Sequence, residues 1–279
     1  MKQYRAITVC ILAVISLFSS CKLSDKKKEP EMKEPKLKEE NITYSPAGMD
    51  SLKLDGYIVY DENKEGKRPA VLVVHEWWGI NDYVKMRARE LAKLGYIAMA
   101  VDMYGNGKKG DNPDVAGQLA GPFYQNPAMA KPLFDAALSK LMAYSQADRG
   151  NVAAIGYCFG GAQVINLAKM GEDLKGVVSF HGNLTVMPVN KELLKAHILV
   201  CHGADDTFVP ASEVNLFKAE MDSAGAKYTF KSYKGATHSF TNPNSTAMGE
   251  KFNIPIKYNA AADSASWQDM QDFFKAIFK

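Results

Sequence analysis

From about Asn41 onward, the apolar positions follow two alternating rhythms. Short strand-like runs occur at Gly56–Tyr60, Ala70–His75, Ile97–Val101, Val152–Tyr157, Val177–Phe180, Ile198–His202 and Tyr228–Tyr233. Several are unbroken apolar stretches such as Val71-Leu72-Val73-Val74, the pattern of a parallel sheet covered on both faces. Between them apolar residues recur at helical spacing: over Tyr83–Leu94, stopping at Gly95, and over Ala128–Tyr144, Ala211–Met221 and Ala261–Phe278. Strand and helix alternating along a chain predict a three-layer α/β fold, a mostly parallel sheet with helices on both faces.

The first 40 residues follow neither rhythm. Lys2 and Arg5 precede an apolar run, Ala6 to Phe18, of signal-peptide length and short for a membrane span. Ser19, Ser20 and Cys21 follow, and small residues ending in Cys resemble the lipobox of bacterial lipoproteins. The resemblance implies cleavage before Cys21 and lipidation of its thiol. Residues Lys22 to Glu40 are mostly Lys, Glu and Pro, too polar to offset chain entropy by burial, and Pro30 and Pro35 oppose a helix. The expected organisation is a signal peptide over 1–20, a charged flexible tether over 21–40 and one domain over 41–279. That places the protein in a bacterial cell envelope, anchored outside the cytoplasm at the periplasmic face or cell surface, with the membrane a partner through Cys21.

Composition narrows the function. A 279-residue chain that is 47% hydrophobic can bury one large core. A net charge of +3, with both signs spread along the chain, gives no basic patch, and nucleic acid is not an expected partner. Four scattered cysteines make no disulfide framework, and without a Cys-x-x-Cys pair or a His-x-x-x-His helix neither a metal site nor a cofactor is expected.

The chemistry begins where the strand Val152–Tyr157 runs into Gly156-Tyr157-Cys158-Phe159-Gly160-Gly161. Gly-x-Cys-x-Gly between an apolar strand and a small-residue helix is the pattern of a nucleophile elbow, in which small residues let strand and helix approach. At a helix N-terminus the amide dipoles favour a Cys158 thiolate, and the Phe159 amide faces a developing oxyanion. The strand Ile198–His202 leads into a loop carrying Asp205 and Asp206, and the strand Tyr228–Tyr233 into one carrying His238. Nucleophile, acid and histidine thus occur in the order of α/β-hydrolases, each after its own strand. His238 would hold the proton of Cys158 and return it to the leaving oxygen, while one of the two aspartates orients the ring. Either a Gly-rich turn with a structural Cys or a solvated turn Asp is the plainer alternative for each residue alone. His181, His197 and His202 read as structural residues at strand ends, and Cys201 as core.

Five blocks in order carry a closer likeness: His75-Glu76-Trp77-Trp78-Gly79-Ile80-Asn81, Asp102-Met103-Tyr104-Gly105, Gly156 to Gly161, Asp206-Thr207-Phe208-Val209-Pro210 and His238-Ser239-Phe240. With them the chain resembles the dienelactone hydrolase family from about Gly56 onward. The resemblance implies an α/β-hydrolase fold and a Cys–His–Asp triad that falls on Cys158, His238 and Asp206. It implies that Glu76 lies beside the nucleophile and helps hold it as a resting thiol, and that the backbone amides of Phe159 and Trp77 form the oxyanion hole. Trp77 and Trp78 are candidates for an acyl pocket or for the core. One departure concerns substrate: where dienelactone-cleaving members carry arginines for a substrate carboxylate, this chain has Gly105-Asn106 and Asn242, with Lys108 and Lys109 nearby. The expected activity is hydrolysis of a small-molecule ester or lactone through an acyl-enzyme, without selectivity for the carboxylated dienelactone. The alternative is a non-catalytic surface-binding lipoprotein retaining the fold.

Overall fold

The computed structural model describes residues 34–278. The expected signal peptide, Cys21 and most of the tether lie outside the described residues. Eight strands form one sheet: β1 (Leu37–Tyr44), β2 (Leu54–Asp61), β3 (Arg68–Val74), β4 (Ile97–Val101), β5 (Ala147–Tyr157), β6 (Gly176–Phe180), β7 (His197–Gly203) and β8 (Tyr228–Tyr233). Their order is β1-β2-β4-β3-β5-β6-β7-β8. β1 and β2, and β2 and β4, pair antiparallel; all pairs from β4 to β8 are parallel. Among the described residues seven α-helices flank the sheet: α1 (Asp82–Lys93), α2 (Pro113–Gln125), α3 (Ala130–Leu141), α4 (Phe159–Lys169), α5 (Ala211–Ala224), α6 (Ser245–Phe252) and α7 (Ala260–Ile277).

Side-chain alternation along β3 divides the core into two layers. Ala70, Leu72 and Val74 point toward one side, where Phe134 of α3, Val164 of α4 and Phe217 of α5 meet them. Val71 and Val73 point to the other, with Leu91 of α1 and Met270 and Phe274 of α7. All five strand residues are fully buried, each Val or Leu side chain contributing on the order of 1.5–3 kcal/mol. Asparagine side chains start three of the helices: Asn81 accepts from the Val84 amide, Asn112 from Val115 and Asn259 from Ala262. Register sets the site. Gly156 of β5 lies opposite Val74 of β3 and Ser179 of β6, so these three strands end level and their loops emerge side by side.

Every strand-like run is a strand, but three elements differ from expectation. The tether boundary at residue 40 is corrected, because Leu37–Glu40 belong to β1. Their charges are not simply solvated: Glu39 accepts from the Tyr57 hydroxyl at 2.6 Å and pairs with Arg89, and Glu40 accepts from the Tyr144 hydroxyl at 2.9 Å. A charged edge strand of this kind carries too few apolar positions to announce itself. Helices α2 and α6 also go unannounced. Gly117, Gly121 and Pro122 lie inside α2, and α6 has only eight residues.

Candidate active site

Cys158 stands between β5 and α4 with φ 53° and ψ −116°, a left-handed backbone for a residue with a Cβ. Such conformations cost on the order of 1–3 kcal/mol and persist where surroundings over-determine them. Here the surroundings are two glycines. A Cβ at Gly156 would collide with the Gly160 carbonyl, and one at Gly160 with the Val74 carbonyl. Their absence lets α4 close onto β5 and β3, and the Gly160 amide donates to the His75 carbonyl at 3.1 Å. The Cys158 amide donates to the Phe180 carbonyl at 2.9 Å and to His181 Nδ1 at 3.1 Å. Its side chain is partly exposed at the mouth of the elbow. Phe159 opens α4, so its amide has no intrahelical acceptor.

Asp206 and His238 leave β7 and β8 and meet in front of Cys158. Asp206 is buried, and its Oδ2 is 2.8 Å from His238 Nδ1. Its Oδ1 accepts from the amides of Phe208 and Val209, which fixes the carboxylate's orientation. Asp205 is exposed, and only its backbone amide reaches the histidine loop, at Ala236. The choice between the two aspartates is therefore geometric: Asp206 reaches the ring. Burial works against a charge on His238, but the Cys158 sulfur and the Asp206 carboxylate override it, and the ring's pKa is pushed up to about 10.

Glu76 follows β3 and is buried beneath the same loop. The Ser239 hydroxyl donates to Glu76 Oε1, and Asn242 Nδ2 donates to Oε2 at 2.7 Å. Burial raises the carboxyl above its usual range; these two hydrogen bonds and the charges of His238 and Arg87 offset part of the rise. Asn242 is itself buried, its amide spent on Glu76. Ser239 has φ 57°, and its carbonyl and hydroxyl both accept from Ser245. His181, read as structural from the sequence, lies in this site as well.

A cavity of about 210 Å³ opens over these groups. Glu76, Cys158, His238 and Ser239 form its reactive floor, and Asn183 adds an amide. Trp77, Trp78, Tyr124, Phe208, Ile254 and Ile256 form its apolar wall. Both tryptophans thus face the cavity, packed edge to face at 4.8 Å, and Phe252 stacks on Trp78 at 5.9 Å. Tyr124, Asn183, Ile254 and Ile256 went unnoticed in the sequence. No Lys or Arg is among the described residues that line the cavity. Lys108 and Lys109 line a different cleft, with Lys85, Asp55 and Asp102. Their loop is pinned there: Asp102 accepts from the amides of Tyr104, Gly105 and Gly107, and the Gly110 amide donates to the Trp78 carbonyl.

Comparison with known proteins gives the family and the fold. The sequence pattern of the dienelactone hydrolase family matches residues 54–278. "Protein usf" of Aquifex pyrophilus is 31% identical over 199 residues, covering 69% of this chain and 84% of that protein. The solved structure of "m3DLH" is 32% identical, with a TM-score of 0.80 over 87% of this chain and 99% of its own. A dienelactone hydrolase-like promiscuous phosphotriesterase from metagenomic libraries is 34% identical, with a TM-score of 0.79 over the same shares.

Proposed function

The chain belongs to the dienelactone hydrolase family and is a hydrolase with the α/β-hydrolase fold, and from that premise we propose that it cleaves carboxylic esters or lactones with Cys158 as nucleophile. The observation that carries this reading is the convergence of three loops. Cys158 after β5, Asp206 after β7 and His238 after β8 meet, with Asp206 on Nδ1 of the ring and Nε2 left for the sulfur. A binding protein that merely kept the fold would have no use for a strained cysteine facing an oriented histidine.

In the proposed sequence the Cys158 thiolate attacks the carbonyl carbon, forming a C–S bond and an oxyanion. The amides of Phe159 and Trp77 accept that charge as hydrogen-bond donors. The tetrahedral species collapses, breaking the C–O bond, and His238 Nε2 gives its proton to the leaving oxygen. Water then adds to the thioester while His238 takes its proton, and the acid leaves as the thiolate is restored. Asp206 holds the ring in the required tautomer. Glu76 is assigned a supporting part: a buried carboxyl that holds Ser239 and Asn242 beside the nucleophile and sets the local charge.

The wall argues for substrate class. With no cation on the described lining, a substrate carboxylate has no charge-assisted partner there, and one such bond is typically worth about 1.5–3 kcal/mol. Neutral esters or lactones with an apolar acyl group fit better than the carboxylated dienelactone. Neutral phosphotriesters are a second class to assay, since the metagenomic neighbour is a promiscuous phosphotriesterase. The proposal places the protein outside the cytoplasm of a bacterial cell, at the periplasmic face or cell surface, held by a lipid anchor at Cys21. The test is turnover of p-nitrophenyl acetate before and after iodoacetamide. The reading expects alkylation to abolish turnover and substrate to protect against it; full activity after stoichiometric alkylation of Cys158 refutes it.

A further inference from the structure

Building on the reading of Cys158 and His238 as nucleophile and base, we infer that His181 is a positioning residue whose neutral ring ties the elbow to the histidine loop. His181 follows β6 and is buried. Its Nδ1 accepts from the Cys158 amide at 3.1 Å, and its Nε2 lies 2.8 Å from Thr241 Oγ1. An amide N–H can only donate, so Nδ1 carries the lone pair and the ring's single proton sits on Nε2, donated to Thr241. Thr241 is three residues after His238, on the same loop. One imidazole therefore spans the two loops whose relative placement decides whether sulfur and base meet.

The far side of the link is anchored. Thr241 Oγ1 is 2.7 Å from the Tyr83 hydroxyl, which accepts from Arg87 Nε at 3.4 Å. Arg87 also donates to the Thr241 carbonyl at 2.6 Å and pairs with Asp263 of α7 and, at 2.9 Å, Glu90 of α1. Thr241 is thus held at both its hydroxyl and its carbonyl by α1, itself tied to α7. The His181 ring further packs edge to face on His238 at 5.2 Å and on Phe240 at 5.4 Å. Three non-glycine residues with left-handed backbones meet here: Cys158 at φ 53°, His181 at 44° and Ser239 at 57°. Such conformations need surroundings that over-determine them, and the shared ring is part of those surroundings. Burial, followed by the charges of His238 and Arg87, pushes the His181 pKa well below its usual value, which keeps Nδ1 free to accept.

Thr241→Val removes the hydroxyl at nearly constant volume, Thr241→Ser keeps it, and His181→Phe removes both ring nitrogens. Each is assayed with p-nitrophenyl acetate, alongside Cys158→Ala, for kcat, for KM and for the alkylation rate of Cys158 by iodoacetamide. The inference expects folded Thr241→Val and His181→Phe to lose about 10- to 100-fold in kcat with KM within about threefold of wild type. Alkylation should slow in parallel, and Thr241→Ser should recover most of the loss. If His181→Phe does not fold, the Thr241 pair carries the test. A folded Thr241→Val with wild-type kcat and alkylation overturns the inference, as does a Thr241→Ser that is equally impaired. Cys158→Ala separates the two levels. Turnover by that variant would refute the nucleophile itself, whereas an inactive Cys158→Ala beside a wild-type Thr241→Val would refute only the role of His181.

Discussion

Two regions face each other across the cavity and are built by different rules. The floor, with Asp206 bonded behind His238, is the carboxyl edge of the parallel sheet, where β3, β5, β7 and β8 each hand one polar residue to the site: Glu76, Cys158, Asp206 and His238. The wall is assembled from a loop tryptophan pair, one turn of α2, the Phe208 loop and the segment after α6, which contribute Trp77, Trp78, Tyr124, Phe208, Ile254 and Ile256. On the floor, position follows from strand register, and buried polar groups are held by hydrogen bonds. On the wall, position follows from side-chain packing, and Phe208 is 44% exposed. Floor residues should therefore control whether the reaction occurs, and wall residues which molecule undergoes it.

The largest effect should come from the floor. Cys158→Ala and His238→Ala should each lower kcat/KM by at least about 10³ without unfolding the domain, and the double variant should be little worse than either. Asp206→Asn should cost less than Cys158→Ala, while Asp205→Asn, at an exposed position, should be close to neutral; steady-state kinetics on all five variants decide it. A wild-type-like His238→Ala would end the division of labour drawn above.

That division also explains how much was legible in the sequence. The floor was, because each of its residues lies in the loop that follows a strand-like run and because Gly156 and Gly160 mark a place where helix and strand backbones touch. Asp206 and Asp205 were separable only by a likeness to a family until the fold showed one buried and the other exposed. Of the wall only the tryptophan pair was offered as a candidate: Tyr124 sits in a helix interrupted by Gly and Pro, and Ile254 and Ile256 lie beyond a two-turn helix. His181, read as structural, is buried with both ring nitrogens bonded, but a strand-end histidine shows no partner in one dimension; its two partners are 23 and 60 residues away. Asn242, which stands where the resemblance places a substrate-binding arginine, serves Glu76.

Truncating the wall should shift preference rather than remove activity. Trp78→Ala and Ile254→Ala should change the ratio of kcat/KM for a longer and a shorter acyl ester by about 10-fold, since one methylene in an apolar pocket is worth about 1–3 kcal/mol. An equal loss for both esters would show that these residues support the floor instead.

Acidity offers a subtler comparison. His238 has a folded pKa of about 10 against roughly 6.5 unfolded. Between these values the folded state binds more protons than the unfolded, so this contribution to stability is fully present below about pH 6.5 and is lost as pH rises toward 10. Urea midpoints measured across that window should fall for the wild type and fall less for Cys158→Ala, which lacks the sulfur that helps hold the proton. An identical decline in both would remove Cys158 from the ring's electrostatics.

The smallest effect is expected from Lys108 and Lys109. Because their cleft is not the cavity over Cys158, replacing both with Ala should change kcat/KM for an anionic ester and its neutral amide analogue by less than about twofold. A selective loss for the anion would show that these side chains reach the substrate.

The central claim is that a covalent bond forms at Cys158. Mixing the protein with p-nitrophenyl butyrate, quenching in acid within the first turnover and mapping the digest by mass spectrometry tests it directly. The account predicts a butyryl adduct on the peptide that contains Cys158, absent from Cys158→Ala. An adduct on Ser239, or rapid release of p-nitrophenol with no adduct at Cys158, would contradict it.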